Sequence, residues 1–256
     1  MCNLNLIWKK NGKDRIVVDL MNVLSSYSYA TNSHSEGTLF FENNEPLIVK
    51  SLNKLIFRTE RDFLLTHQRI GTSGGNTIEN AHPHETDKLI LMHNGIIHNG
   101  IQINKSDTKI YAEALTEAYT SDLIASIKSL NRETYGSYSI FVYDKATKKL
   151  LYFKEESTEM YSFQNEDYLI MSTDKQNVVY ARSYLKLSGK IKKIKPNTIY
   201  DVFGGLKPIA KFKTPKIEFK TTVTNYDNVT PQQQLNQWEQ EEKEKRNMWK
   251  YYGMWG

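Results

Sequence analysis

A single cysteine, Cys2, is the feature that most restricts how this chain of 256 residues can fold. One cysteine cannot form an internal disulfide, and it cannot supply a cysteine-rich metal site. The fold must therefore be stabilised by packing of apolar side chains, which make up 39% of the sequence. A chain of this length is expected to form one large domain or two small ones.

Cys2 directly follows the initiator Met1, and this position makes it a candidate nucleophile. Methionine is usually removed when the next residue is small, which would leave Cys2 with a free α-amine. The pKa of an α-amine is about 7.7–8.0 and that of a thiol about 8.5. Cys2 would then carry both a nucleophile and its own general base. The alternative is that a cysteine stands here by chance.

The charge pattern argues against nucleic acid as a partner, although the net charge is +5. Lysines are dispersed, and the densest stretch, 190–195, interleaves Lys with Ile as exposed edge strands do. No nucleic-acid recognition motif accompanies it. No apolar run approaches the roughly 18 residues of a membrane span, and no signal-peptide pattern opens the chain. We therefore expect a cytoplasmic protein with no membrane contact.

Hydrophobic periodicity predicts two amphipathic helices and many short strands. The first helix is predicted from Ile16 to Tyr27, and the second from about Asp107 to Leu130. Strands are predicted at 3–9, 38–41, 47–50, 63–65, 89–92, 138–143, 150–154, 168–172 and 199–203, with another after Gly204-Gly205. Hairpins with helices grouped between them are typical of a layered α+β fold with antiparallel sheets.

The sequence changes character from about residue 211 onward. The stretch Thr230-Pro231-Gln232-Gln233 resembles a capping box with Pro at the first helical position, which predicts a charged helix to about Asn247. Residues 248–256 are rich in Trp and Tyr, and we expect them to pack on the domain or on a partner.

Histidines form the first cluster of candidate functional residues, since five of the six lie between His67 and His98. His82 and His84 are two residues apart and would share one face of an extended segment, as metal ligands often do. No acidic or cysteine ligand has matching spacing. Hydrogen-bonding roles are therefore favoured over a metal site, and no metal or cofactor is expected.

A second candidate is Asn94-Gly95, which follows a predicted buried strand. One interpretation is a turn, for which Asn-Gly is a common signal. The other is an oxyanion hole made of the Asn94 amide and the Gly95 backbone N–H. Such donors can each stabilise a transition state by roughly 3 kcal/mol.

Two further candidates could bind the charged groups of an amino acid. Arg69 opens a Gly-rich loop, where it could clamp a carboxylate with help from the Thr72 hydroxyl. Asp107 begins the long predicted helix, where it could receive an ammonium group. Taken singly, a surface arginine and a helix cap are the simpler interpretations. Together with Cys2 and the oxyanion site, however, they suit a free amino acid with a side-chain amide, and glutamine fits.

These segments resemble the class II glutamine amidotransferase domain of the Ntn-hydrolase superfamily. The closest resemblance is to the glutaminase half of glucosamine-6-phosphate synthase and to its amidophosphoribosyltransferase relatives. The segments that carry it occur in the family's order and near its spacing: His67 to Gly74, Asn80-Ala81-His82-Pro83-His84, His93-Asn94-Gly95-Ile96-Ile97 and Ser106-Asp107-Thr108, followed by Gly136-Ser137-Tyr138-Ser139.

The resemblance implies a four-layer αββα sandwich over residues 2–210, followed by a C-terminal extension at 211–256. It implies Cys2 as the nucleophile and Asn94 and Gly95 as the oxyanion hole. It also implies a glutamine site, in which Arg69 binds the α-carboxylate, Asp107 binds the α-amine, and Thr72 and the Ile70 backbone line the pocket.

The chain also departs from the family pattern. Asn3 follows the nucleophile where glycine is usual, Ile70 replaces an aromatic residue, and Ser73 replaces a histidine. The family's Arg-Gly-x-Asp-Ser stretch is replaced by residues 31–35. This last change affects the residues expected to support Cys2 locally, more than the chemistry itself.

We therefore expect a stand-alone glutamine amidotransferase subunit that forms a Cys2 thioester and releases ammonia. No acceptor domain has room after residue 210, so we expect the ammonia acceptor on a separate synthase, with the aromatic tail as a candidate docking element. One alternative is an Ntn-type acylase acting on another amide, although Arg69 and Asp107 would then be idle. The other is a catalytically silent scaffold, which a retained Met1 would favour.

Overall fold

A computed structural model describes residues 2–71, 73–99, 102 and 104–215 of the chain. These residues form thirteen strands in two antiparallel sheets, together with four α-helices. The strands are β1 Asn3–Lys9, β2 Ser35–Glu42, β3 Glu45–Ser51, β4 Phe63–Arg69, β5 His84–Glu85, β6 Leu89–Ile97, β7 Gly136–Asp144, β8 Lys149–Lys154, β9 Tyr161–Gln164, β10 Tyr168–Ser172, β11 Lys192–Lys193, β12 Thr198–Asp201 and β13 Lys207–Lys211. The helices are α1 Arg15–Tyr29, α2 Asp107–Ala118, α3 Leu123–Asn131 and α4 Lys175–Tyr184.

The two sheets face each other across the main apolar core. The first sheet has the strand order β11-β9-β10-β1-β4-β2-β3, and the second has the order β13-β12-β8-β7-β6-β5. Side chains alternate across each strand, so Leu4 and Leu6 of β1 point between the sheets, while Ile7 points to the opposite face. Ile90 and Met92 of β6 meet them from the second sheet.

Helices cover the outer face of each sheet. Helices α1 and α4 pack on the first sheet, where Leu20 and Val178 join the cluster around Ile7. Helices α2 and α3 pack on the second sheet, where Leu115 and Ile127 are fully buried. The layers therefore run helix, sheet, sheet, helix, which confirms the predicted αββα sandwich.

Most predicted strands lie where the structure has them, but the single long helix predicted over 107–130 is wrong. Helix α2 ends at Ala118, and Asp122 starts α3 by accepting the N–H groups of Ile124 and Ala125 at 2.9 and 3.2 Å. Helix α4 and strand β9 were not predicted. The apolar stripe continues through the break at 119–122 because both helices cover the same sheet, so periodicity alone concealed it.

The lysine-rich stretch does lie at a sheet edge, as predicted. Lys192 and Lys193 form the outermost strand, β11, and both side chains are exposed. At the far end of the described chain, Phe212 still packs in the core on the outer face of the second sheet, against the ring of Phe153. The helix predicted after Thr230 and the aromatic end lie outside the described residues. No helix in the described ranges is long and apolar enough to cross a membrane.

Candidate active site

The sulfur of Cys2 lies against the backbone of Ile70, just after β4 ends. The Ile70 N–H donates to Sγ at 3.2 Å, and the thiol can donate to the Ile70 carbonyl oxygen at 3.3 Å. The register of β1 and β4 produces this contact. Asn3 pairs with Gln68, so the residue before β1 lies beside the residues at the end of β4. The structure therefore brings together two predicted site residues.

The surroundings of Cys2 favour the neutral thiol. Burial raises the pKa of the Cys2 thiol above its ordinary value, and this outweighs the lowering by the Ile70 N–H and by the Arg69 guanidinium. The Asp107 carboxylate raises it further. A base must therefore remove the proton as the sulfur attacks.

Arg69 is the last residue of β4 and is only 3% exposed. Its guanidinium closes the following loop by donating to the carbonyl oxygens of Ser73 at 2.6 Å and Gly75 at 3.0 Å. A guanidinium carries five N–H donors. The other three make no hydrogen bond within the described residues, and the carboxylate clamp that was predicted for Arg69 stays a prediction.

Asp107 stands at the first position of α2, but Ser106 is the helix cap. The Ser106 hydroxyl accepts the Lys109 N–H at 3.2 Å, as an N-cap residue does. The simpler interpretation of this segment, a helix cap, is therefore borne out by Ser106. The Asp107 carboxylate also accepts an N–H of the same first turn, that of Thr108.

The Asp107 carboxylate links three segments of the site. One oxygen accepts the Ile97 N–H at 2.8 Å, and the other accepts the Thr108 N–H at 2.8 Å. The Ser73 hydroxyl, in the loop closed by Arg69, lies 3.3 Å from that second oxygen. The Thr108 hydroxyl lies 3.4 Å from the same oxygen, so four donors approach the carboxylate. The role of Asp107 as the ammonium acceptor stays a prediction.

Asn94 and Gly95 lie within β6, opposite Ser139 and Tyr138 of β7, so the turn interpretation of this pair is wrong. Strand β6 packs across the sandwich from β1 and β4, the strands that lead to Cys2 and Arg69. The Asn94 amide makes no side-chain hydrogen bond among the described residues. Its role as an oxyanion donor stays a prediction.

Gly95 is a position that only glycine fits. Its φ is +134°, and a Cβ there would lie 1.8 Å from the Ser137 carbonyl oxygen. Strand β6 can therefore approach β7 closely at this point only without a side chain.

Four of the clustered histidines are buried and hydrogen-bonded: His67, His82, His84 and His93. His98 is exposed. Within the described ranges, no group of three or more His, Cys, Asp or Glu side chains has the geometry of a metal site. The favoured hydrogen-bonding interpretation is therefore confirmed for these four residues.

Two side chains that support the loop after β4 were not predicted. His34 Nδ1 accepts the Gly71 N–H at 2.9 Å, and the His34 N–H donates to the Arg69 carbonyl oxygen at 3.0 Å. Asn80 accepts the Ser106 N–H at 2.9 Å and donates to the carbonyl oxygen of Gly74. His34 lies in the 31–35 stretch that departs from the family pattern, and this departure was the only signal in the sequence.

Thr72, which was predicted to line the pocket, lies outside the described residues. Its neighbours Gly71 and Ser73 are described, and both take part in the contacts given above.

Sequence comparison finds relatives among enzymes named for glutamine. The chain is 30% identical over 180 residues to the glutamine–fructose-6-phosphate aminotransferase of Helicobacter pylori, which covers 61% of this chain and 29% of the relative. It is 35% identical over 113 residues to a probable glutamine–fructose-6-phosphate aminotransferase of Acanthamoeba polyphaga mimivirus, covering 39% of this chain and 19% of the relative. The chain thus spans less than a third of these relatives. No family model matches it.

Solved structures share the fold. The glutamine phosphoribosylpyrophosphate amidotransferase from B. subtilis superposes with a TM-score of 0.58 and 15% identity, over 78% of this chain and 46% of that one. A structure described as the allosteric regulatory enzyme of purine biosynthesis superposes with a TM-score of 0.61 and 16% identity, over 83% and 49%. At these identities the likeness establishes the fold alone.

Proposed function

We propose, from the premise that this chain is a class II glutamine amidotransferase domain in sequence and fold, that it hydrolyses glutamine to glutamate and ammonia. Cys2 would be the nucleophile, and its α-amine would be free once Met1 is removed. Glutamine would be held by its own α-carboxylate and α-amine, so that its side-chain amide reaches the sulfur.

The observation that carries the proposal is the arrangement of charges around Cys2. Arg69 directly precedes Ile70, whose backbone holds the Cys2 sulfur. The Asp107 carboxylate contacts the hydroxyl of Ser73 in the loop that Arg69 closes. Both side chains are tied to the same loop through Ser73. A cation on β4 and an anion on α2, both bonded to the loop at Ser73, suit the two charged groups of a free amino acid. An acylase acting on another amide would have no use for this pair.

The first chemical step follows from the state of the thiol. Because burial raises the pKa of Cys2, the thiol is protonated at rest and needs a base. The α-amine, with a pKa near 7.7–8.0 in ordinary peptides, is suited to take the proton directly or through a water molecule. The sulfur then bonds to the glutamine Cδ, and the carbonyl oxygen becomes an oxyanion.

The second step expels ammonia. The Asn94 amide and the Gly95 N–H are proposed to stabilise the oxyanion, by roughly 3 kcal/mol each. As the carbonyl re-forms, the C–N bond breaks and the leaving nitrogen takes the proton from the α-amine. Ammonia leaves, and a γ-glutamyl thioester remains on Cys2. Water then attacks the thioester, which releases glutamate and restores the thiol.

We further propose that the ammonia is passed to an acceptor on a partner protein. The name of the Helicobacter relative gives fructose 6-phosphate as its acceptor, and the alignment covers 29% of that protein. The acceptor for this chain would be bound outside the matched residues. Glutamate release should rise when a synthase encoded beside this chain is added, and an unchanged rate with each such synthase would count against a separate partner.

Glutamate release tests the proposed hydrolysis. The purified chain should release glutamate from glutamine, and Cys2→Ala should abolish that release while the unfolding temperature stays the same. Cys2→Ser is the matched control for the nucleophile, since it keeps a hydroxyl in place of the thiol. Glutamate release by Cys2→Ala at the rate of the parent chain would refute the proposed role of Cys2.

A further inference from the structure

Three of the buried histidines form a continuous hydrogen-bonded chain through one threonine. The Nδ1 atoms of His67 and His82 lie 2.9 Å apart. His82 Nε2 lies 2.8 Å from Thr108 Oγ1, and that oxygen lies 2.9 Å from His93 Nδ1. Thr108 is 1% exposed, so these bonds are sheltered from water. We call these four residues the histidine chain.

Proton counting shows that the Thr108 hydroxyl is needed at the centre of the histidine chain. Burial lowers the pKa of His67, His82 and His93, so each ring is neutral and carries one N–H. If His82 donates to His67, it must accept from Thr108, which then accepts from His93. If His67 donates to His82, then His82 donates to Thr108, and the hydroxyl donates either to His93 or to the Asp107 carboxylate, whose oxygen lies 3.4 Å away. In each arrangement the hydroxyl bonds to both His82 and His93.

The histidine chain connects the three elements that carry the proposed glutamine contacts. His67 lies two residues before Arg69 on β4, and His93 directly precedes Asn94 on β6. Thr108 directly follows Asp107 on α2. His67, His93 and Thr108 therefore each lie within two residues of a group that is proposed to bind glutamine or the oxyanion.

The bonds at Nδ1 help to orient the rings of His67 and His93. Their Nε2 atoms are buried and make no hydrogen bond of good geometry among the described residues, although the backbones of His93 and Ser137 lie close enough to raise the pKa of the two rings. The bonds at Nδ1 are therefore the polar side-chain contacts of both rings. His93 Nε2 also lies 3.0 Å from where a Cβ of Gly95 would be, so this ring borders the proposed oxyanion hole.

We propose that Thr108 and His82 are positioning residues, which hold β4, β6 and α2 in the relative placement that glutamine binding requires. This inference rests on the proposed function. Neither residue would touch the substrate. Thr108 would act through Asp107 and Asn94, and His82 would act through His67 on the strand that ends at Arg69. The histidine chain would thus set the spacing between the carboxylate clamp, the ammonium acceptor and the oxyanion donors.

Two alkylating reagents separate this role from general support of the fold. Diazo-oxo-norleucine carries the amino-acid groups of glutamine, whereas iodoacetamide carries none of them. Thr108→Val removes the hydroxyl at constant shape. It should slow alkylation of Cys2 by diazo-oxo-norleucine about tenfold to a hundredfold, because a shift of about 1 Å can have that effect. The rate at which iodoacetamide alkylates Cys2 should be the same in Thr108→Val as in the parent chain.

The chain offers a conservative rescue and a matched control. Thr108→Ser keeps the hydroxyl and should restore the rate with diazo-oxo-norleucine. Thr116→Val removes a hydroxyl from the same helix, where it contacts Thr86 at 2.8 Å away from the histidine chain. This control should leave both alkylation rates unchanged.

The outcomes that overturn the inference differ from those that overturn the proposed function. If the parent chain reacts with iodoacetamide but not with diazo-oxo-norleucine, the proposed function fails and the inference falls with it. If the parent chain reacts and Thr108→Val reacts equally fast, only the inference fails. An equal slowing with both reagents would also overturn it, since that indicates general damage.

A spectroscopic measurement on the parent chain covers the case in which Thr108→Val does not fold. Imidazole N–H protons inside the histidine chain should exchange slowly with water and give low-field proton resonances in a nitrogen-correlated NMR spectrum. Thr108→Ser should keep these resonances. Their absence from the parent chain would overturn the inference without any variant.

Discussion

The carboxylate of Asp107 accepts the backbone N–H of Ile97 at 2.8 Å. This bond ties the first turn of α2 to the last residue of β6, two residues beyond Gly95. The residue proposed to bind the substrate ammonium therefore also fixes the end of the strand that carries the proposed oxyanion donors.

Asp107→Asn should weaken glutamine binding. It removes the negative charge while keeping one acceptor oxygen, and a hydrogen bond to a charged group contributes about 1.5–3 kcal/mol. The KM for glutamine should rise about tenfold to a hundredfold, with a smaller fall in kcat. Steady-state glutamate release measures both constants. An unchanged KM would contradict the assignment of Asp107 to the ammonium group.

Arg69→Lys should impair both binding and stability. A lysine ammonium cannot span the Ser73 and Gly75 carbonyl oxygens while also pairing with a carboxylate. We expect a higher KM for glutamine and a loss of about 2 kcal/mol in the free energy of unfolding. Arg132→Lys is the control, since Arg132 is exposed and its side chain makes no hydrogen bond or ion pair among the described residues. Equal changes in KM and in the free energy of unfolding for the two variants would contradict the role of Arg69.

Local patterns predicted most of the fold, because the alternation and apolar runs of the core strands reflect burial on two sheets. Strand β1 is an example, since the predicted bounds at Asn3 and Lys9 match the structure. Helix α4 was missed because its exposed face is strongly polar and its buried residues are few, among them Val178 and Ala181. Its cap, Asp174, accepts the Gln176 N–H at 2.8 Å and was a usable signal.

The candidate site was predictable where residues of one short segment act together, as Ser106 and Asp107 do. Contacts between distant segments were not predictable. His34 meets Gly71 across 37 positions of sequence. His82 meets Thr108 across 26 positions. The first pair forms only once β2 has paired with β4, and the second only once α2 has packed on the second sheet, so a pattern read along one strand or helix does not contain them.

Gly95→Ala should be far more destabilising than an alanine at another glycine with positive φ. At Gly95 the new Cβ would meet the Ser137 carbonyl oxygen at 1.8 Å, whereas at Gly12, with φ +87°, it would meet nothing within 4 Å. We expect Gly12→Ala to cost about 1–2 kcal/mol from backbone strain alone. Urea unfolding compares the two variants. Equal losses would contradict the close approach of β6 and β7.

His84 should make the protein less stable as the pH falls. Burial, with further lowering by Lys50 and Lys109, brings the pKa of His84 to about 3. The unfolded chain binds this proton below about pH 6.5, but the folded chain does not until about pH 3, so the free energy of unfolding falls as pH drops through that window.

His84→Gln should reduce this pH dependence. The difference in slope from the parent chain should approach about 1.4 kcal/mol per pH unit below the ordinary histidine pKa. Urea unfolding at neutral pH and near pH 5 measures this difference. The Gln side chain of the variant can still bond to the Ser106 hydroxyl, which His84 Nε2 contacts at 2.9 Å. If the free energy of unfolding changes with pH equally in the variant and the parent chain, His84 is not the source of the pH dependence.

The central claim is that Cys2, freed at the amino terminus, attacks glutamine, and mass spectrometry of the alkylated chain tests it most directly. The purified chain is incubated with diazo-oxo-norleucine, with and without excess glutamine, and its amino-terminal peptide is then sequenced. The account predicts a peptide that begins at Cys2, carries one adduct on that residue and is protected by glutamine. A peptide that still begins with Met1 and carries no adduct would contradict it.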